Sequence, residues 1–219
     1  MKRTNKIVLD DGSISYEEKN LKKLLNLNYL MLTNRAKLIG KHNLPALHCN
    51  TKVFPDYLAL YTEPCNYHKT NNTAVCFFLY DDKFDGKDGL YNSIYYNDQK
   101  ALKKYKERFK DVKFFITPDY SLFGDIDDIE NRYRIKKGRI VGLWLTIEMK
   151  AVVIPLISFP TLESLDFVLD GLEDCNVVAF STKGYIRDKV EKEILKESIR
   201  YTGTMSRFRT TQIPFSIQT

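Results

Sequence analysis

Four short, largely apolar runs constrain this chain more than any other feature: Val75–Tyr80, Val112–Thr117, Val152–Pro155 and Val177–Ser181. A strand that is apolar on both faces must be covered on both, and strands of this kind alternating with amphipathic helices indicate a parallel sheet flanked by helices. The intervening segments supply those helices. Lys100–Phe109 places Leu102, Tyr105 and Phe109 on one face, and Asp125–Lys150 reads as a long helix with Ile126, Ile129, Tyr133, Ile140, Leu143 and Ile147 inward, despite Gly138 and Gly142. Thr161–Leu172 and Arg187–Arg200 complete the set. The expected fold class is α/β, a mostly parallel sheet flanked by helices.

The N-terminal third reads differently. Ser15-Tyr16-Glu17-Glu18 matches a capping box, and Leu21, Leu24 and Leu25 keep helical spacing as far as Asn34. Residues 35–75, with Pro45, Pro55 and Pro64, are expected to be irregular. The chain is thereby divided into residues 1–76 (helix and metal-binding segment), 77–200 (α/β domain) and 201–219 (irregular arm interrupted by Pro214), together forming one compact unit. With 219 residues it can bury a full core without disulfides. Its longest apolar runs, Ile140–Ile147 and Ala151–Ile157, fall short of the ~20 residues needed to cross a bilayer. Asp10, Asp11 and Gly12 break the start before a secretory signal can develop. A soluble protein of the cytoplasm is expected, with no membrane contact.

Thirty-four Lys and Arg against 28 Asp and Glu leave a net charge of +6. That sign excludes a DNA mimic, which must be strongly acidic, and permits contact with a nucleic acid or with a protein that carries one. The charge is uneven. Lys100–Lys113 holds seven basic residues against two acidic, Arg132–Arg139 holds five with none opposing, and Asp119–Glu130 carries five acids between them.

Three of the four cysteines lie between residues 49 and 76. Without a secretory signal, such clustering points to metal rather than to disulfides. The spacing Cys49, Cys65, His68, Cys76, with His48 as an alternate to Cys49, would supply the four thiolate and imidazole ligands of a closed, structural Zn²⁺ site. The Cys65–His68 gap is that of a zinc knuckle.

Catalytic signatures are sparse. No G-x-x-x-x-G-K-[ST], G-x-G-x-x-G or G-x-S-x-G sequence occurs. Asp81–Asn92 resembles a calcium loop only until Lys83, at the third position where an oxygen ligand is required, and Asn92, at the twelfth where a bidentate Glu is required. Ligands of parallel sheets gather at the carboxyl ends of the strands. The groups expected there are Asp81, Asp82, Asp119, Ser121, Ser158 and Ser181 to Lys183. Carboxylates converging with a lysine could serve metal-assisted or acid–base chemistry, with Asp119 foremost.

Several short motifs occur in a fixed order: Pro118-Asp119-Tyr120-Ser121-Leu122-Phe123, Asn131-Arg132-Tyr133-Arg134, Val153-Ile154-Pro155, Asp170-Gly171-Leu172 and Val178-Ala179-Phe180-Ser181-Thr182-Lys183-Gly184. Over roughly residues 76–200 the chain resembles a domain-of-unknown-function family carried by phages and other mobile elements of bacteria. That resemblance implies an α/β fold and a mobile-element origin, and no activity. The Cys/His cluster with this body is also similar to a zinc-containing anti-CRISPR protein directed at the type II effector nuclease. This second likeness implies stoichiometric binding to that nuclease, impeding target-DNA or guide loading, without enzymatic turnover. Lys103, Lys104, Arg108, Arg132, Arg134, Lys136 and Lys137 are the cations expected to make the contact. Two alternatives stand beside it. One is a metal-dependent nuclease or nucleotide-acting hydrolase using Asp119, Asp81 and Asp82; the other is a nucleic-acid-binding protein using its basic helices.

Overall fold

The computed structural model describes residues 6–8, 14–16, 37–182 and 189–205. The helix expected through Leu21–Asn34, the strand-end Lys183 and residues 206–219, with Pro214, lie outside the described residues. Ser15, expected to cap that helix, instead lies in β2 (Ile14–Tyr16), antiparallel to β1 (Lys6–Val8) and opposite Ile7. A β-branched residue and an aromatic flanking one polar residue suit a strand as well as a helix start, and here pairing decides. A second hairpin joins β3 (Leu38–Ile39) to β4 (Leu44–Pro45).

The central sheet has four parallel strands in sequence order: β5 (Tyr57–Leu60), β6 (Thr73–Cys76), β7 (Phe114–Ile116) and β8 (Val152–Ile154). Its first strand comes from the stretch expected to be irregular, whereas β6 begins there, two residues before the expected apolar run Val75–Tyr80, and ends within that run. Pro55 and Pro64 stand outside β5 rather than within it, so the missing N–H groups cost no ladder bond. Every residue of β6 and β7 is buried. Alternate residues feed opposite faces, as the pleat requires. Val75, Phe115 and Val153 join one apolar cluster, while Cys76, Ile116 and Ile154 join the other.

Pro155 ends β8 because it cannot donate to a neighbour. The Thr117 hydroxyl accepts the next available proton, from Leu156 N at 2.8 Å. The chain continues as β9 (Leu156–Ile157), which pairs in parallel with β10 (Ala179–Phe180); Ala179 N donates to Pro155 O at 2.8 Å. The expected strand Val177–Ser181 is therefore present but shorter.

Helices α1 (Leu90–Tyr95) and α2 (Gln99–Arg108) carry the chain from β6 to β7, and α3 (Asp128–Glu148) from β7 to β8. The Asp127 carboxylate caps α3 by accepting from Glu130 N at 2.9 Å. Its buried face differs from the expected stripe: Ile140 is buried, but Ile129 is 72% and Tyr133 46% exposed. The buried positions instead include Asn131, Gly138, Arg139 and Gly142. A Cβ on Gly142 would lie 3.1 Å from Thr117 and 3.2 Å from Leu47, so the glycine permits this close approach. Periodicity alone underrates such a face because its contact residues are small or polar.

The helix expected over Thr161–Leu172 contracts to α4 (Leu165–Val168). The Ser164 hydroxyl donates to Thr161 O at 2.6 Å, closing a local turn, and Gly171 at φ +77° redirects the chain. Helix α5 spans Lys189–Met205, extending past Arg200 into the stretch expected to be irregular. Among the described residues, no helix is long and apolar enough to cross a membrane.

Candidate functional site

The carboxyl ends of the strands open into a cleft of about 360 Å³. Phe78 and Tyr80 reach it from the chain leaving β6, Asp119, Ser121 and Phe123 from beyond β7, Ser158 from the end of β9, and Ser181 from the end of β10. Asp119, Ser121, Ser158 and Ser181, which the strand pattern assigned to this edge, thus line one cleft. Asp82 does not; it is exposed and pairs with Lys83 at 2.6 Å.

Asp119 is the carboxylate of this lining, and its Oδ1 accepts from Ser158 Oγ at 2.6 Å. That contact joins the β7 and β9 ends by a charge-assisted bond. Asp81 has a different task. Its Oδ1 accepts from Ser121 N and Ser121 Oγ at 3.1 and 3.0 Å, and its Oδ2 receives Arg134 Nη1 at 3.2 Å. Asp81 therefore fastens the wall of the cleft.

Two residues of α3 hold the same wall. Asn131, 1% exposed, receives Phe123 N at 3.1 Å and donates to Phe123 O at 2.8 Å. Arg134 donates to Ser121 O at 3.2 Å and to Glu130 at 2.9 Å, and its guanidinium stands 5.4 Å from the Phe123 ring centroid. Here the Asn131–Arg134 motif clamps the Pro118–Phe123 motif, which gives their joint occurrence a physical reason. Asn131 was not singled out in the sequence, although the motif containing it was visible.

Arg139 is the other residue hidden within a basic run. It is 4% exposed and donates to Val168 O at 2.9 Å and Gly171 O at 3.5 Å, securing the end of α4. Desolvation lowers its pKa to about 10. Beside the cleft, Lys137 pairs with Asp85 and stands 4.3 Å from the Tyr120 ring centroid. Tyr120 is 4% exposed, and burial pushes its phenol far above the usual range.

The other expected contact cations divide into two groups. Arg108 lies 4.1 Å over the Tyr61 ring and donates to Tyr61 O and, at 3.3 Å, to Tyr67 Oη. Arg132 donates to Asp128 O at 3.2 Å and places Nη1 3.1 Å from His42 Nδ1. Lys136 is half-buried, whereas Lys103 and Lys104 stand exposed on α2. Arg108, Arg132, Arg134 and Lys137 thus have partners within the fold.

The proposed zinc ligands are not gathered. Cys76 lies in β6 at 0% exposure, and Cys49 is buried in an isolated parallel bridge with Cys175, while Cys65, His68 and the alternate His48 are exposed. Among the described residues no three His, Cys, Asp or Glu side chains are placed to hold a metal ion. This placement does not fit a tetrahedral Cys₃His set. Burial pushes the Cys49 and Cys76 thiols up to about 12 and Cys175 up to about 11. Backbone bonds anchor the segment instead: Leu47 N to Gly171 O at 2.9 Å, Asn176 N to Cys49 O at 2.8 Å, and Thr51 N to Asn176 Oδ1 at 3.1 Å.

Two phage proteins are similar to this chain. The gene 1 protein of Mycobacterium phage L5 is 28% identical over 152 residues, covering 68% of this chain and 61% of that protein. The gene 1 protein of Mycobacterium phage D29 is 25% identical over 162 residues, covering 73% of this chain and 55% of that protein. The chain thus spans less than two thirds of the length of either relative. No solved structure matches it. A family described as a domain of unknown function, DUF4417, matches residues 36–213, taking in the cysteine segment and the whole strand-end cleft, and the chain belongs to that family.

Proposed function

We propose that this protein acts through the strand-end cleft as a hydrolase that binds a small polar ligand there, with Asp119 as its acid–base group. The observation that carries this reading is Asp119 facing a walled cleft with its Oδ1 already accepting from Ser158. The carboxylate accepts a proton from a water or ligand hydroxyl, and Ser158 keeps it oriented. The wall is fixed beforehand by Asp81, Asn131 and Arg134, which limits the reorganisation needed on binding. The divalent-ion version of this reading would need donors beyond Asp119, since both oxygens of Asp81 are engaged by Ser121 and Arg134. Hydrolysis of a panel of phosphodiesters, nucleotides and glycosides, with and without Mg²⁺ or Mn²⁺, tests the proposal. Asp119→Asn should reduce any turnover by at least about 100-fold, within the range expected of a lost acid–base group, while leaving the melting temperature near the parent's. Equal turnover in the variant would end it.

Kinship with phage proteins favours a second reading, stoichiometric inhibition of a type II CRISPR effector nuclease. Lys103 and Lys104, exposed on α2, are its contact residues. Titration against the effector should then show one-to-one loss of DNA cleavage, and Lys103→Glu with Lys104→Glu should weaken it. Affinity for nucleic acid alone that falls steeply with salt would instead support direct nucleic-acid binding.

A further inference from the structure

We infer that Cys49 and Cys175 are an oxidisable dithiol, closed by a small-molecule disulfide into a covalent tie between the chain at 47–51 and the chain at 171–176. This goes beyond the cleft reading and does not depend on it.

Backbone and amide bonds set the seam between those segments. Leu47 N donates to Gly171 O at 2.9 Å, and Asn176 N to Cys49 O at 2.8 Å. The Asn176 side chain accepts from Thr51 N at 3.1 Å and donates to Asn50 Oδ1 at 3.0 Å and to Thr51 O at 3.1 Å. A Cβ on Gly171 would stand 3.0 Å from Ala46 Cα, so the two segments run in close contact. This register sets Cys49 opposite Cys175 as an isolated parallel bridge.

Opposed residues present their side chains to one face. Both thiols accordingly enter the same apolar cluster, each 2% exposed. Bridged neighbours lie about 4.7–4.9 Å apart, within the roughly 4.4–6.8 Å between Cα atoms that a disulfide accepts. Cys175 Sγ leans toward the opposite segment, 3.3 Å from Leu47 O. Two thiols do not close a metal site, and among the described residues no third ligand joins them. Thiol–disulfide exchange is the chemistry left to such a pair.

Arg139 gives the exchange its direction. Its buried guanidinium, bonded to the Val168 and Gly171 carbonyls, favours the Cys175 thiolate against the larger effect of burial, which pushes that thiol up to about 11. Burial and the neighbouring Cys175 push Cys49 up to about 12. Cys175 is therefore the sulfur that attacks first. It gives up its proton and attacks one sulfur of oxidised glutathione; that S–S bond breaks, and one glutathione leaves as the thiol with the proton. Cys49, deprotonated in turn, attacks the Cys175 sulfur of the mixed disulfide, and the second glutathione leaves as the thiol. Two protein thiols are oxidised and one small disulfide is reduced. Both sulfurs are buried, so the exchange proceeds when the seam opens locally. The tie anchors the chain leading into β10, which pairs with β9.

Refolding the full chain from urea in glutathione buffer, with the oxidised form in excess, gives every cysteine access to the oxidant. Peptide mapping without reductant then reads the product. The Cys49–Cys175 link should dominate over all other pairings, and dithiothreitol should reverse it. The linked chain should melt several degrees above the reduced one, and its Leu47, Thr51 and Asn176 amides should exchange more slowly. Cys65→Ser should leave the link unchanged. Cys49→Ala and Cys175→Ala should each abolish it, with circular dichroism confirming that both fold. Links through Cys65 or Cys76 in its place, glutathione adducts or free thiols at Cys49 and Cys175 without a link, or a linked chain that melts below the reduced one would each overturn the inference.

Discussion

The strand-end cleft and the cysteine segment each looked like a site, and they differ in what brings their residues together. Asp119, Ser121, Ser158 and Ser181 share the cleft because parallel strands all present their carboxyl ends on one edge, whatever their separation in sequence. Cys49, Cys65, His68 and Cys76 are closer in sequence, yet β5, β6 and the turn between them send their side chains to different surroundings. Cys76 enters the core from a central strand, and Cys65 stands exposed in the turn after β5. Proximity along a chain is a weaker guide than position within a sheet.

The most damaging way to sharpen that comparison is Asn131→Ala. It removes both bonds to Phe123 and leaves a backbone N–H and C=O of the cleft wall without their side-chain partner. A loss of roughly 2–4 kcal/mol is expected from two such vacancies, measured by urea unfolding, together with loss of ligand binding.

On the cysteine side, Cys76→Ser buries a hydroxyl in an apolar cluster and should cost about 1–3 kcal/mol. A core thiol predicts this loss whether or not metal is supplied. Rescue of the parent protein by added Zn²⁺ after chelator treatment would instead restore the ligand role.

Alkaline pH probes the same burial. The thiols of Cys49, Cys76 and Cys175 and the phenols of Tyr67, Tyr105 and Tyr120 all have folded pKa values above their ordinary ones, chiefly through desolvation. Their unfolded forms ionise first, so this contribution is complete below about pH 9 and is lost as pH climbs from there through about 12. Arg139 acts in the opposite sense, because its pKa is lowered to about 10 and folding becomes easier as pH rises beyond that. Six groups against one predict a net decline in unfolding free energy between pH 8.5 and 11, at constant ionic strength.

The smallest effect is expected from Cys65→Ser combined with His68→Ala. Both side chains are exposed, so stability should change by no more than about 0.5 kcal/mol, as for most surface substitutions. Elemental analysis belongs beside it. One zinc per chain, lost in the double variant along with several degrees of melting temperature, would break the comparison.

Part of the fold is legible in the sequence alone. The helices at 100–109 and 125–150 appear as α2 and α3, displaced by only a few residues at their ends and capped by Asp98 and Asp127, although the buried face of α3 is not the expected apolar stripe. The segment 35–75 holds more strand than its prolines suggest, because Pro55 and Pro64 flank β5 and Pro45 closes β4. Thr161–Leu172 carried a helical leucine pattern, but the Ser164 turn and Gly171 shorten it, and Leu162 is 41% exposed. Of the basic runs, local sequence showed the charge and could not show its destination. Arg108 lies over Tyr61, and Arg139 is buried against carbonyls supplied from 29 and 32 residues away.

Sequence by itself determined the class of fold and the edge on which polar groups would collect. Strand polarity and the alternation of apolar runs with helices are local properties, and they suffice to orient a parallel sheet. Tertiary structure alone decided which polar groups became wall, which faced the cleft and which cysteines entered the core. Those outcomes turn on distant partners: Asp81 across to Ser121 and Arg134, Asn131 to Phe123, and Cys49 to Cys175. A side chain's chemistry is written in the sequence, but its desolvation and its hydrogen-bond partners come from segments many residues away, and these set what it can do.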